Sequence, residues 1–285
     1  DYTSFRALVK QDSSKDRADA NIVGQYGTGF MTTHTFNRLV YVTAPFAVKR
    51  GQNEISGYVQ IKDFALDRTK VDTADGPKLM RKQLNDVREL CNKQKTQSIE
   101  DDTTSFRYDL RLEQLDEVSC YLAGAVKVMP FVLILNEHIK DIEVDNQYQR
   151  VHYVFKKSGE KSLFQMDIPG WIDAEEWVEI SDLHNGDVET CRCKCLKSVQ
   201  GDVVIIPPFP EVCGNVEGIP SLFLWYPLLG TEAFGVNFIF HSKRFYPVEK
   251  RNNIMLPGAS QISKEKGGDN ERILKEMMAA VFAYY

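Results

Sequence analysis

The sequence predicts an α/β protein of the α+β kind, built as two domains over residues 1–145 and 146–285. Three observations predict it. Strong amphipathic helices alternate with short strands before residue 146. Strands and turn residues dominate after it, until a closing helix. A glycine-rich loop, Gly24 to Gly29, follows a polar segment and opens a helical pattern. At roughly 100–200 residues per domain, 285 residues also make two domains the default.

Residues 1–23 read as polar and irregular, and Gln11-Asp12-Ser13-Ser14-Lys15-Asp16 is loop chemistry. Thr28 to Leu39 supports a short helix in which His34 reads as a packing residue. Leu39–Val48 and Gly57–Phe64 read as a hairpin across Gly51-Gln52-Asn53. Pro77 to Gln97 is an amphipathic helix, with Leu79, Met80, Leu84, Val87, Leu90 and Cys91 at helical spacing and Pro77 near its start. Thr104–Leu112 alternates as a strand, and Glu113–Val128 is a helix. Phe131–Leu135 and Ile139–Val144 are expected as two short strands around Asn136-Glu137. Further strands are expected at Val151–Lys156, Ser162–Asp167, Glu189–Leu196, Val203–Ile206, Ser221–Tyr226 and Gly235–Phe240. Glu271–Tyr285 closes the chain as a helix. The run Asp173-Ala174-Glu175-Glu176 reads as a helix start or an exposed loop.

Composition narrows the function. The chain is 43% hydrophobic and 26% charged, an ordinary globular balance without a disorder signature. The net charge of -5 argues against a nucleic-acid partner, which needs a basic face. No apolar run reaches the ~20 residues that span a bilayer, and Asp1–Gln11 holds no signal-peptide core. Six cysteines without a secretory signal read as reduced thiols of a cytoplasmic protein. Cys191, Cys193 and Cys195 share one face of a strand and suit a core, with Arg192 and Lys194 outward. Zinc would need a fourth ligand from His184 or Cys213, so no metal site is assigned.

Gly24-Gln25-Tyr26-Gly27-Thr28-Gly29 fits G-x-x-G-x-G. A dinucleotide fold would need a hydrophobic strand before it, and Asp16-Arg17-Ala18-Asp19-Ala20-Asn21 is polar. A phosphate loop of the Walker type would need Gly-Lys-Ser/Thr, which does not follow. A glycine loop opening a helix is physically an anion cradle, because its amides approach oxygen closely. It is equally the shape of a glycine turn that caps an ordinary helix.

Ile22-Val23-Gly24-Gln25-Tyr26-Gly27-Thr28-Gly29-Phe30 closely resembles the second glycine box of the gyrase, heat-shock chaperone, histidine kinase and MutL (GHKL) superfamily. It looks nearest to the ninety-kilodalton heat-shock chaperones and their sacsin-like and microrchidia relatives. The resemblance implies a Bergerat-type α/β sandwich, here its C-terminal portion, followed by a transducer-like domain. It implies ATP as ligand, with Gly24, Gln25, Tyr26, Gly27, Thr28, Gly29 and Phe30 closing a lid over the phosphates, and Leu8–Lys15 as the start of that lid. By the same resemblance Thr104 places a hydroxyl near adenine, although Thr103 stands where the family has glycine. The catalytic Glu, the Mg2+-binding Asn and the adenine-recognising Asp-x-Gly loop are expected upstream of Asp1.

Phe238–Pro247 resembles the transducer's strand-turn-strand, and Val248-Glu249-Lys250-Arg251-Asn252-Asn253 follows it. By analogy Arg251, then Lys250, is the cation that meets the γ-phosphate; solvated surface charge is the plain alternative. Lys243 and Arg244 read as surface or turn residues. The implied function is an ATP-driven conformational machine working as a homodimer or on a partner protein. The alternatives are an inactive nucleotide-sensing scaffold and a MutL- or microrchidia-like DNA-associated ATPase.

Overall fold

The computed structural model describes residues 2–9, 33–50, 54–93, 96, 98, 102–145, 150–156, 169–207, 218–248 and 250–285. Among them lie two separate β-sheets and four α-helices, a mixed α/β protein. The chain divides into two compact units, Asp1–Ser119 and Cys120–Tyr285.

The first unit is built on three antiparallel strands, β1 (Leu39–Arg50), β2 (Glu54–Asp67) and β3 (Ser105–Tyr108), in the order β2-β1-β3. The expected hairpin is therefore present, with Val42 opposite Phe64 and Phe46 opposite Val59. β3 lies along the other edge of β1, with Thr43 opposite Ser105. Helix α1 (Tyr2–Val9) and helix α2 (Gly76–Lys93) supply the rest of the core. Phe5 of α1 meets Phe46 and Phe64 edge-on, at ring distances of 6.2 and 5.3 Å, a favoured aromatic geometry. Leu84 and Val87, on the apolar stripe of α2, bury in the same cluster as Val40, Val42 and Ile61. Gln83 of α2 pins the end of β2. Its Oε1 accepts from the Asp67 N–H at 2.9 Å, and its Nε2 donates to the Asp67 carbonyl at 2.9 Å.

Helix α3 (Leu112–Leu135) contains the division between the units. The expected strand at Phe131–Leu135 is the last turn of this helix, which runs on through Pro130. Five consecutive apolar residues carry no period, so sequence does not separate strand from buried helix there. All five bury in the second unit's core. The helix is long and apolar enough to cross a membrane by length and composition, unlike the short run expected from sequence, and a third of its most apolar window is buried within the protein.

The second unit carries an eight-stranded sheet. Its strands are β4 (Asp141–Asp145), β5 (Arg150–Lys156), β6 (Trp171–Asp182), β7 (Val188–Ser198), β8 (Val203–Ile206), β9 (Leu222–Leu224), β10 (Tyr226–Pro227) and β11 (Ile239–His241), in the order β10-β9-β11-β8-β7-β6-β5-β4. Pairing is antiparallel except between β11 and β9. Cys191, Cys193 and Cys195 are fully buried on one face of β7 as free thiols. Burial pushes the Cys195 thiol well above its ordinary value. Asp173–Glu176 is neither helix start nor loop but part of β6, where Glu176 lies opposite Cys193. Its buried carboxylate pairs with Lys197 of β7, twenty-one residues away, a partner that local sequence does not reveal. The expected strand at Ser162–Asp167 lies outside the described residues.

The closing helix α4 (Gln261–Tyr284) begins ten residues earlier than expected. Ser260 caps it, its side chain accepting from the Ser263 N–H at 3.1 Å. Gly267 and Gly268 lie inside the helix although glycine disfavours helix interiors. Here Gly267 lets the helix touch backbone, because a Cβ at that point would lie 2.3 Å from the Leu256 carbonyl carbon.

Candidate functional site

The glycine box, Gly24, Gln25, Tyr26, Gly27, Thr28, Gly29 and Phe30, lies outside the described residues, as does the lid segment from Lys10 to Lys15. The chain that leaves the box is described from Thr33. Residues 33–36 turn, with the Phe36 N–H donating to the Thr33 carbonyl at 3.1 Å. Asn37 then leads into β1. Its Oδ1 accepts from the Leu39 N–H at 2.9 Å, and its Nδ2 donates to the Asp109 carbonyl at 2.7 Å. Gln114 Nε2 donates to the Phe36 carbonyl at 2.9 Å, and the Phe36 ring meets Tyr108 edge-on. The segment after the box is thereby tied both to β1 and to the end of β3.

This segment forms one wall of a cavity of about 860 Å3, completed by Arg68, Val71, Asp72, Arg111 and Gln114. That volume lies within the range of small-molecule sites. Arg38 pairs with Asp72 at 2.7 Å and Arg111 with Glu113 at 2.9 Å; all four side chains are more than half exposed. His34 is buried, as its packing role implies. Burial first, and the Arg68 charge second, hold its pKa below the ordinary value, against backbone hydrogen bonds that raise it. The imidazole is therefore neutral near pH 7. Sequence gave no signal for Arg68, whose place depends on where β2 ends beside α1.

Thr104 is exposed and immediately precedes β3, the neighbour of the central strand β1. Lys250 and Arg251 occupy a closed loop in the second unit. Pro247 bridges Ile254, the Val248 N–H donates to the Asn253 carbonyl at 3.0 Å, and the Arg251 N–H donates to the Val248 carbonyl at 2.9 Å. Lys250 is exposed and Arg251 half-buried. Arg251 has φ +54, a left-handed conformation uncommon outside glycine. Asn270 of α4, fully buried, anchors the loop's base. Its Oδ1 accepts from the Tyr246 N–H at 2.9 Å, and its Nδ2 donates to the carbonyls of Tyr246 and Met255 at 2.8 Å each.

Arg244 is a turn residue but not a solvated one. It pairs with the buried Asp202 and approaches Glu276 at 3.5 Å. Among the described residues no group of three or more His, Cys, Asp or Glu side chains is placed to hold a metal ion. Comparison with protein-family models returned no match, and neither did comparisons with curated proteins and with solved structures.

Proposed function

We propose that the chain is an ATP-binding module of Bergerat type, with a transducer-like second unit, that drives a conformational cycle in a homodimer or on a partner protein. The observation that carries this reading is the glycine box, Gly24 to Phe30, followed in sequence, after the turn at residues 33–36, by the central strand of a three-stranded antiparallel sheet. The order that follows supports it: hairpin, helix, a strand opened by Thr104 and a further helix, in the order the resemblance implies. Gly24, Gly27 and Gly29 would hold phosphate oxygens through backbone amides. Arg251, with Lys250 next in line, would meet the γ-phosphate. Its left-handed backbone is a strain of the kind that clusters at functional sites. Mg2+ would neutralise phosphate charge on an Asn ligand that this reading places outside Asp1–Tyr285. A cytoplasmic setting follows from the reduced thiols.

Calorimetry with ATP tests the reading. The full chain binds ATP, and Gly27→Val, whose Cβ branch would crowd the amides, does not. Equal affinity in a folded Gly27→Val protein overturns it.

A further inference from the structure

Arg68 follows the last residue of β2, and its side chain is 6% exposed. Nη2 donates to the carbonyls of Leu8 and Val9, at 3.0 and 2.7 Å, the last two residues of α1. These bonds use both protons of that nitrogen and cap the helix. A helix C-terminus offsets roughly half a charge at most. No carboxylate pairs with Arg68 among the described residues, and its Nε and Nη1 make no hydrogen bond there. Burial alone pushes its pKa down, with no acid acting against it. An arginine this little exposed is ordinarily paired with an acid, whereas this one lines the cavity of about 860 Å3.

The other charges at the cavity balance one another and leave the Arg68 charge uncompensated. Arg38 and Arg111 add two guanidinium groups, against Asp72 on the wall and Glu113 beside it. Their ion pairs are largely exposed, so each contributes little and exchanges easily for a ligand. His34 is neutral there and adds no competing charge near pH 7. Asn37 is bonded to backbone, and Gln114 to the Phe36 carbonyl, the Arg111 N–H and, at 3.4 Å, Arg111 Nε, so both hold the rim. Recognition thus falls to three planar forks, which suit tetrahedral and planar oxyanions.

We propose that this cavity is a phosphoryl-binding site, in which the buried Arg68 guanidinium receives the anion and Arg38 and Arg111 swing from their surface carboxylates to complete its coordination. Arg68 is the anchor because it is fixed by α1 before any ligand arrives. The site does not depend on the glycine box. Its phosphoryl group comes either from free phosphate or from the tail of a nucleotide, and the two sources are separable.

Calorimetry of the full chain with inorganic phosphate is the test, in wild type, Arg68→Met, Arg38→Gln, Arg111→Gln and Gly27→Val. Wild type binds phosphate, more weakly as salt rises. Arg68→Met weakens binding by about tenfold or more, as loss of a charge-assisted bond requires. Gly27→Val leaves phosphate affinity unchanged even where it abolishes ATP binding, so failure of this site and failure of the ATP reading are told apart. If Arg68→Met does not fold, because α1 loses its cap, the rim variants decide: Arg38→Gln and Arg111→Gln each weaken phosphate by about two- to tenfold. ATP that displaces phosphate identifies a nucleotide tail as the source; ATP that binds without displacing it identifies free phosphate. No phosphate binding by wild type, or unchanged affinity in folded Arg68→Met or in both rim variants, overturns the proposal.

Discussion

The Asp202 carboxylate and the Arg244 guanidinium, forty-two residues apart, form an ion pair in which the acid is 2% exposed. Ser242 Oγ donates to Asp202 Oδ1 at 2.7 Å and Ser198 Oγ to Oδ2 at 3.1 Å. The acid thus ties the turn after β7 to the turn after β11, and Arg244 extends the tie toward Glu276 of α4. Removing one member of a buried pair strands the other. Arg244→Met is expected to lower stability by about 3 kcal/mol, the low end of the usual range because the serine bonds remain. The midpoint of urea unfolding measures it; a shift under about 0.5 kcal/mol would show that the serines alone satisfy Asp202.

Two adjacent glycines in α4 make opposite predictions. A Cβ on Gly267 would lie 2.3 Å from the Leu256 carbonyl carbon and 2.4 Å from Pro257 N, both backbone. Gly267→Ala is expected to cost about 1–3 kcal/mol or more, as overpacking does. A Cβ on Gly268 meets nothing within 4 Å. Gly268→Ala is expected to stabilise by roughly 0.5–1 kcal/mol, because alanine loses less entropy in a helix. Thermal melts of the two variants should move in opposite directions, and matching shifts would show that α4 does not approach residues 256–257 as described.

The fully buried His241 predicts an acid-sensitive fold. Burial first holds its pKa down from 6.5 to about 4; Lys243 acts with burial, while the Phe223 carbonyl and Asp202 act against it. Its Nδ1 lies 3.4 Å from the Trp225 N–H and 3.3 Å from the Phe223 carbonyl. The neutral ring can accept from the first, whereas the protonated ring can only donate to the second. The unfolded chain takes up the proton near pH 6.5 and the folded protein only near 4. Stability is therefore full above pH 6.5 and falls as pH drops toward 4, by roughly 3 kcal/mol from this group. His34, also lowered, adds a slope of the same sign. Urea midpoints at pH 7.5 and 4.5 should converge in His241→Gln; an unchanged difference would place the acid sensitivity elsewhere.

On the proposed ATP cycle, Arg251→Ala is expected to spare ATP affinity, which rests on glycine amides, and to cut turnover by on the order of 10–1000-fold. Lys243→Ala serves as the control and should change neither. Single-turnover hydrolysis in the complete protein measures the effect, and a wild-type rate in Arg251→Ala would pass the role to Lys250.

Elements with a strong period were legible in the sequence: the hairpin, α2, the core face of β7 and the helical character of α4. In each, local spacing of apolar residues carries the assignment, and burial follows from it. The glycine box was legible too, as a pattern whose chemistry the described residues neither include nor replace.

What tertiary structure decided has no local signal. Phe131–Leu135 became helix because a run buried on all sides satisfies either backbone form. Asp173–Glu176 became strand because its ladder partners, Cys193–Leu196, and the Lys197 charge come from β7. Arg68, Asp202 and Asn270 read in sequence as ordinary polar residues. Each role needs a partner at least fifteen residues away. Periodicity reports which way a side chain faces; only the folded chain sets which charge waits on the other side.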